Sequence, residues 1–410
     1  MDQPIWTQNG PFRLIGAMSG TSLDGLDLCA AEFKRSGDRW TYRIRAFETV
    51  SYRGTHWPER LAAAYSDRGA LRTQISLDFA SWCQDQWLSF NARHHFAAHA
   101  VAHHGHTVEH DPSRGITVQI GHEALVFASS PIPVVGDFRS GSVARGGQGA
   151  PLVPLADRDL FADFAVCVNL GGFSNASWTD AGGLRRAGDL GPCNGLLNPL
   201  AGELGLDYDP EGQHAARGRV APSSLASSSL ANPQTSQQPT SQSQPISANE
   251  PISAHLSQRA NEPISANLSQ LNYYSAPFPK SLGREWMERE FWPVFNSARP
   301  QRTEDALATA SAHIAWSIVH GLRTAHAPHG KALLSGGGAR NAHLVRQLCQ
   351  IAPEWHWMVA PDDILESKEA LAFAYLGLLR LRNEPNVLAS YAGGQNDGCD
   401  GTVFGKFDKT

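Results

Sequence analysis

Apolar-rich runs separated by short polar turns mark the first third of the chain. Residues 12–17, 26–33 and 41–51 read as strands joined by short polar turns. A helical spacing takes over at 58–66, which carries Pro58 in its first turn, and again over 73–96. Further short strands are expected at 101–104, 115–120 and 134–138. A second set opens near Ala165: the strand-like run 165–170 ends in Gly171-Gly172, and the run 331–334 ends in Gly336-Gly337-Gly338. Between them Leu307, Ala310, Ile314, Ile318 and Leu322 keep a helical spacing. Strands and helices mixed in this way predict an α/β or α+β layer architecture.

One stretch belongs to no core. Residues 221–270 contain no aromatic side chain and, among acidic and basic ones, only Glu250, Arg259 and Glu262. A mixture of Ser, Gln, Pro, Asn and Ala buries too little apolar surface to offset the entropy of ordering it. The segment also repeats itself, EPISAHLSQ at 250–258 returning as EPISANLSQ at 262–270. Two copies fall short of a solenoid, so 221–270 is expected to be a disordered low-complexity insertion, with structure resuming near Tyr273.

Composition narrows the class. The 410 residues are long enough for two or three domains, and 41% are hydrophobic. A net charge of −5 leaves no basic footprint for nucleic acid or an anionic membrane. The first residues lack a basic stretch followed by an apolar one, so no targeting segment is expected. The most apolar helical stretch, 369–381, is too short to span a bilayer. Six scattered cysteines without a C-x-x-C pair suit neither a disulfide framework nor a thiolate metal site, and point to the cytoplasm.

Three times a strand runs into a glycine-rich turn. The first, Gly16-Ala17-Met18-Ser19-Gly20-Thr21-Ser22-Leu23-Asp24-Gly25-Leu26-Asp27, aims backbone N–H groups and hydroxyls where phosphate oxygens would sit. Asp24 and Asp27 then offer carboxylates suited to holding Mg²⁺ through water. The bland reading is a hairpin turn built of turn-forming residues. The second turn is Asn169-Leu170-Gly171-Gly172-Phe173-Ser174-Asn175. The third, Ser335-Gly336-Gly337-Gly338-Ala339-Arg340-Asn341, opens a helix expected over 341–352. No G-x-x-x-x-G-K-[ST] motif is present, which excludes a P-loop. Three such turns in one chain suggest a nucleotide clasped between two lobes.

The segment MSGTSLDGLD resembles the signature of the anhydro-N-acetylmuramic acid kinases, within the superfamily of sugar kinases, actin and heat-shock chaperones. Other motifs follow in order: HGHTVEH at 104–110, QIG at 119–121, GDFR at 136–139, ARGGQGAPLVP at 144–154, NLGGFSN, PFPKSLGRE at 277–285, SGGGARN and EALAFAYLG at 369–377. The resemblance spans nearly all of the chain outside the insertion.

It implies two ribonuclease-H-like lobes around a central nucleotide cleft: 1–138, 139–365 interrupted by 221–270, and 366–410 crossing back to the first lobe. It implies ATP and Mg²⁺ as cofactors, an anhydro-amino-sugar substrate in cell-wall recycling, and a homodimer. Phosphate contacts would come from Gly20, Thr21, Ser22, Leu23, Asp24, Gly25, Leu26, Asp27, Gly171, Gly172, Asn175, Gly336, Gly337, Gly338 and Asn341. Asp189 would be the general base, and Arg139, His106 and Glu369 the sugar contacts. Without the resemblance, Asp189 before Gly191-Pro192 reads as a helix cap or turn residue. A metal cluster among His103, His104, His106 and His110 is disfavoured, because no carboxylate or Cys stands at ligand spacing. The chain departs from the family pattern at Leu190, where Thr is usual, and at Cys193, where Gly is usual. A kinase for another sugar and a nucleotide-binding pseudokinase stay open at this stage.

Overall fold

The computed structural model describes residues 5–20, 23–221 and 264–405. Two mixed sheets organise it. In the first, β1 (Phe12–Ser19), β2 (Gly25–Ser36) and β3 (Arg39–Ser51) form an antiparallel meander. β4 (Ala100–Asp111) crosses back to lie parallel to β1. β5 (Ile116–Ile120) folds onto β4, and β6 (Val134–Gly136) runs parallel to it. The second sheet repeats the plan with β7 (Val166–Leu170), β8 (Phe173–Thr179) and β9 (Arg185–Pro192) as its meander. β10 (Gly330–Ser335) then lies parallel to β7, and β11 (Trp355–Val359) parallel to β10. Last, β12 (Thr402–Phe404) returns to the first sheet beside β6.

The spatial orders are β3-β2-β1-β4-β6-β12 and β9-β8-β7-β10-β11. Three antiparallel strands followed by two parallel ones is the ribonuclease-H-like order, and it occurs twice. Each crossover is helical, as parallel pairing requires. Trp57–Ser66 and Ala70–Arg93 bury Trp57, Leu61, Phe79, Trp87 and Phe90 against the first sheet. Thr303–Thr324 covers the second, and Leu307, Ala310, Ile314, Ile318 and Leu322 are all fully buried there.

The helix Asp362–Leu381 leaves the second sheet and packs on β1, β2 and β4 of the first. Glycine makes that approach close. A Cβ on Gly16 would stand 1.7 Å from the Ala370 carbonyl oxygen, and one on Gly377 would stand 2.4 Å from the Ala102 Cβ. The helix begins at Asp362, a turn before the 366 expected for the crossing segment.

The reading of 221–270 as wholly disordered needs correction at its end. Ile264–Ser269 is a helix, and Leu268 is fully buried beside Met287 and Phe295. Among the described side chains of that repeat, the apolar Leu268 meets the core of the second sheet. Residues 222–263 lie outside the described residues. β8 and β9 were also not anticipated: Ser, Asn and Ala dilute the strand signal of β8, and Gly, Asp and Pro that of β9.

Candidate active site

A polar row crosses the second sheet where its strands end. Ser335 pairs with Asn169, Asn169 with Asn175, and Asn175 with Asp189. Directly opposed residues of neighbouring strands put their side chains on one face. Asn169, Asn175 and Asp189 line a cavity of about 530 Å³ between the sheets. Met18 of β1, Arg139 after β6, and Lys368 and Glu369 of the Asp362–Leu381 helix also line it.

Asp189 is a strand residue, neither cap nor turn. The Leu282 N–H donates to its Oδ2 at 2.7 Å, and its own N–H donates to the Lys280 carbonyl at 2.9 Å. The Tyr273 hydroxyl donates to its carbonyl oxygen at 2.8 Å. Burial pushes the carboxyl up to about 6, and the Leu282 N–H opposes that rise. Gly188 allows the 277–283 strap to lie this close, since a Cβ there would stand 2.6 Å from the Phe278 ring.

Opposite, Glu369 is open to the cavity it lines. Burial raises its carboxyl, and the Lys368 and Arg139 charges pull the other way. Lys368 pairs with Asp157 at 2.8 Å, both side chains nearly enclosed. Asp157 in turn accepts from Ser177 Oγ at 2.6 Å, and Arg185 donates to that hydroxyl at 2.7 Å. Lys368, Asp157 and Ser177 line the cavity and escaped the sequence reading; the signal available was a lysine on an otherwise apolar helix face.

The β1–β2 turn adjoins this group. The Leu23 N–H returns to the Gly20 carbonyl at 3.3 Å, with Leu23 at φ 59°. Thr21 and Ser22 lie outside the described residues. Asp24 is exposed, Gly25 opens β2, and Leu26 turns its side chain wholly into the core. Asp27 accepts from Thr49 Oγ1 at 2.6 Å. Burial first, then the carboxylates of Asp24, Glu369 and Glu366, push Asp27 up to about 6 against that hydrogen bond. Carboxylates that repel one another at a cleft mouth fit a divalent cation. Among the described residues, no group of three or more His, Cys, Asp or Glu is arranged to enclose a metal ion. Asp24 and Asp27 are the carboxylates at this turn that could reach a hard divalent cation through water.

The other two glycine turns meet each other. Gly171-Gly172 connects β7 to β8, and its carbonyls accept from the N–H groups of Cys193, Asn194 and Gly195 at 2.9–3.0 Å. Gly336, at φ 77°, and Gly338 pack on Asn169 and Leu170, where a Cβ would stand 2.5 Å and 2.8 Å from those residues. Gly337 opens the short helical turn that follows. Asn341 serves as the cap of the Ala342–Ile351 helix, accepting from the Leu344 N–H at 2.9 Å.

His106 does not line this cavity. It is fully buried behind Ser19, whose Oγ lies 2.9 Å from its Nδ1, and the Tyr52 hydroxyl donates to Ser19 at 2.8 Å. Burial lowers it to about 4, so it is a neutral support beneath the first turn. The histidine lining the cavity is His110. Leu190 and Cys193 also stay away from the cavity. Leu190 packs toward Gly321 of the Thr303–Thr324 helix, and Cys193 is enclosed at φ −141°, a backbone any residue adopts.

Two ribonuclease-H-like sheets that both contribute to one cavity, linked by a helix crossing from the second to the first, define the actin-like two-lobed class. Within that class the chain belongs to the anhydro-N-acetylmuramic acid kinase family, whose model matches residues 12–245 and 253–406. It is 32% identical over 419 residues to the anhydro-N-acetylmuramic acid kinase of Cupriavidus pinatubonensis, covering 96% of this chain and 98% of that one. The enzymes of that name from Pseudomonas putida (31%, 92% and 96% covered) and Synechococcus elongatus (31%, 96% and 100% covered) are similarly related. Overlap with the activator of a 2-hydroxyisocaproyl-CoA dehydratase from Clostridium difficile is distant, at TM-score 0.39 and 12% identity, with 91% of this chain and 97% of that chain covered. The strand orders, not that overlap, carry the fold class. No described helix is long and apolar enough to cross a membrane.

Proposed function

We propose that the protein uses ATP to convert 1,6-anhydro-N-acetylmuramic acid to N-acetylmuramic acid 6-phosphate and ADP, a step of peptidoglycan recycling. The observation that carries this reading is a family match over nearly the whole chain, on a cavity where Asp189 faces Arg139 and Glu369.

The anhydro sugar holds an internal acetal between C1 and O6. Water attacks C1, the C1–O6 bond breaks, and Asp189 takes the water's proton as general base. O6 attacks the γ-phosphorus, the bond to the β–γ bridging oxygen breaks, and ADP leaves. A base with its pKa near 6 is mostly ionised at neutral pH yet still basic enough to accept a proton. The Leu282 N–H fixes which carboxylate oxygen is engaged, leaving the other for water. Arg139 and Glu369 hold the sugar's oxygens, and the glycine turns supply N–H groups to the phosphates. Asp24 and Asp27 would hold Mg²⁺ through water, which when bound neutralises phosphate charge.

The test is ADP release from ATP with and without the anhydro sugar, in water enriched in ¹⁸O. Release is expected only with the sugar, with one heavy oxygen at C1 and none in the phosphate. ADP release indifferent to the sugar would sink the proposal.

A further inference from the structure

Arg139 is held in one orientation by three hydrogen bonds to protein groups. Its Nε and one terminal nitrogen both donate to His104 Nε2, at 3.1 and 3.0 Å, and the other donates to the Gly149 carbonyl at 2.7 Å. A guanidinium has five N–H groups, so these contacts leave two for the cavity that Arg139 lines with Glu369.

The tautomer of His104 follows from its partners. Its Nδ1 lies 3.0 Å from the Gly105 carbonyl oxygen, which only accepts, so Nδ1 carries the proton. Nε2 therefore offers its lone pair to the guanidinium. Burial and the Arg139 charge hold His104 well below the usual imidazole range, keeping it neutral. The ring also lies 4.6 Å from that of Phe373, one turn beyond Glu369 on the same helix. Nothing in the proposed chemistry uses His104 directly, and it does not line the cavity.

We infer that His104 is a positioning residue for the sugar, acting through Arg139: its neutral Nε2 aims the guanidinium at the substrate. This rests on the proposed contact between Arg139 and the sugar. Gln and Asn separate the role from packing. Gln places an acceptor where Nε2 stands, and Asn places one nearer the position of Nδ1.

The experiment measures kcat and KM for both substrates in His104→Gln and His104→Asn, alone and with Arg139→Ala. His104→Asn is expected to raise KM for the anhydro sugar about 10-fold or more, the range for hydrogen bonds to charged groups. KM for ATP should move less than about 2-fold, and His104→Gln should stay within about 3-fold of the wild-type sugar KM. In the Arg139→Ala background, either substitution should add under 2-fold. Equal effects of Gln and Asn, or an Asn effect that persists without Arg139, would overturn the inference. A wild-type enzyme inactive on the anhydro sugar would instead overturn the proposed function, and this inference with it.

Discussion

Two carboxyls, those of Asp27 beside the β1–β2 turn and Asp189 in the cavity, sit near 6 for different reasons. Asp27 is raised by burial and by Asp24, Glu369 and Glu366 around it, whereas burial alone raises Asp189. A divalent cation at the β1–β2 turn would relieve the crowding at Asp27 and leave Asp189 a base. Turnover should therefore rise with pH along a limb centred near 6, and Asp189→Asn should cost about 10²–10⁴ in kcat with little change in KM for ATP. A stability signature accompanies the loss. A carboxyl whose folded pKa lies above its unfolded value favours folding below about 4, and that contribution disappears as pH rises through about 6. The rise from 3.8 to about 6 corresponds to about 3 kcal/mol at ~1.4 kcal/mol per unit, part of which cleft water screens. Asp189→Asn should thus be about 1–2 kcal/mol more stable than wild type at pH 8 and no more stable at pH 4, read by urea unfolding. A variant with normal turnover would remove Asp189 from the mechanism and leave Glu369 as the next base to test.

Among the elements, the glycine contact between β1 and the Asp362–Leu381 helix couples fold to site. That helix carries Glu369 and Lys368, so its seating on β1 sets where both meet the cavity. A Cβ at Gly16 would press into main chain, and main chain yields less readily than a side-chain tip. Gly16→Ala is expected to cost about 1–3 kcal/mol and to raise sugar KM, whereas Gly202→Ala, with nothing within 4 Å, should change stability by under about 1 kcal/mol. Equal unfolding midpoints for the two variants would count against the coupling. Strong local patterns made many elements readable from sequence: the apolar strand-like run of β1 and the Thr303–Thr324 spacing both correspond to buried residues. What escaped was written in weak local signals. β9 reads as turns because Gly188, Asp189, Gly191 and Pro192 have low strand propensity, yet its pairing with β8 puts Asp189 in line with Asn175. Asp189, Arg139 and Glu369 were found through family motifs and share one cavity. His106, taken from the same motifs, lies outside that cavity, since its place on β4 alone does not say which face of a central strand turns toward it.

For the whole molecule, the insertion interrupts the chain at one helix and returns to the same one. On entry, the Arg219 N–H donates to Asp305 Oδ1 at 2.7 Å and the Ala221 N–H to Thr309 Oγ1 at 3.0 Å. On return, the Ile264–Ser269 helix packs against Thr303–Thr324 with Leu268 in the core of the second lobe. Both ends are therefore anchored by described residues, and what lies between need only connect them. Closing a shorter loop changes its entropy slowly with length, so a Gly/Ser linker in place of 222–262 should leave kcat/KM within about 3-fold and the melting temperature nearly unchanged. Extending the replacement through 270 is a different experiment, because it deletes Leu268. Losing a buried Leu costs about 2–5 kcal/mol, and the strap that pins Asp189 follows it closely in the chain through Tyr273 and Lys280. The longer replacement should therefore lower both stability and kcat, the shorter one neither. If the shorter replacement folds but loses sugar turnover, the segment belongs to the active site; if the two behave alike, the boundary drawn at Ile264 is wrong.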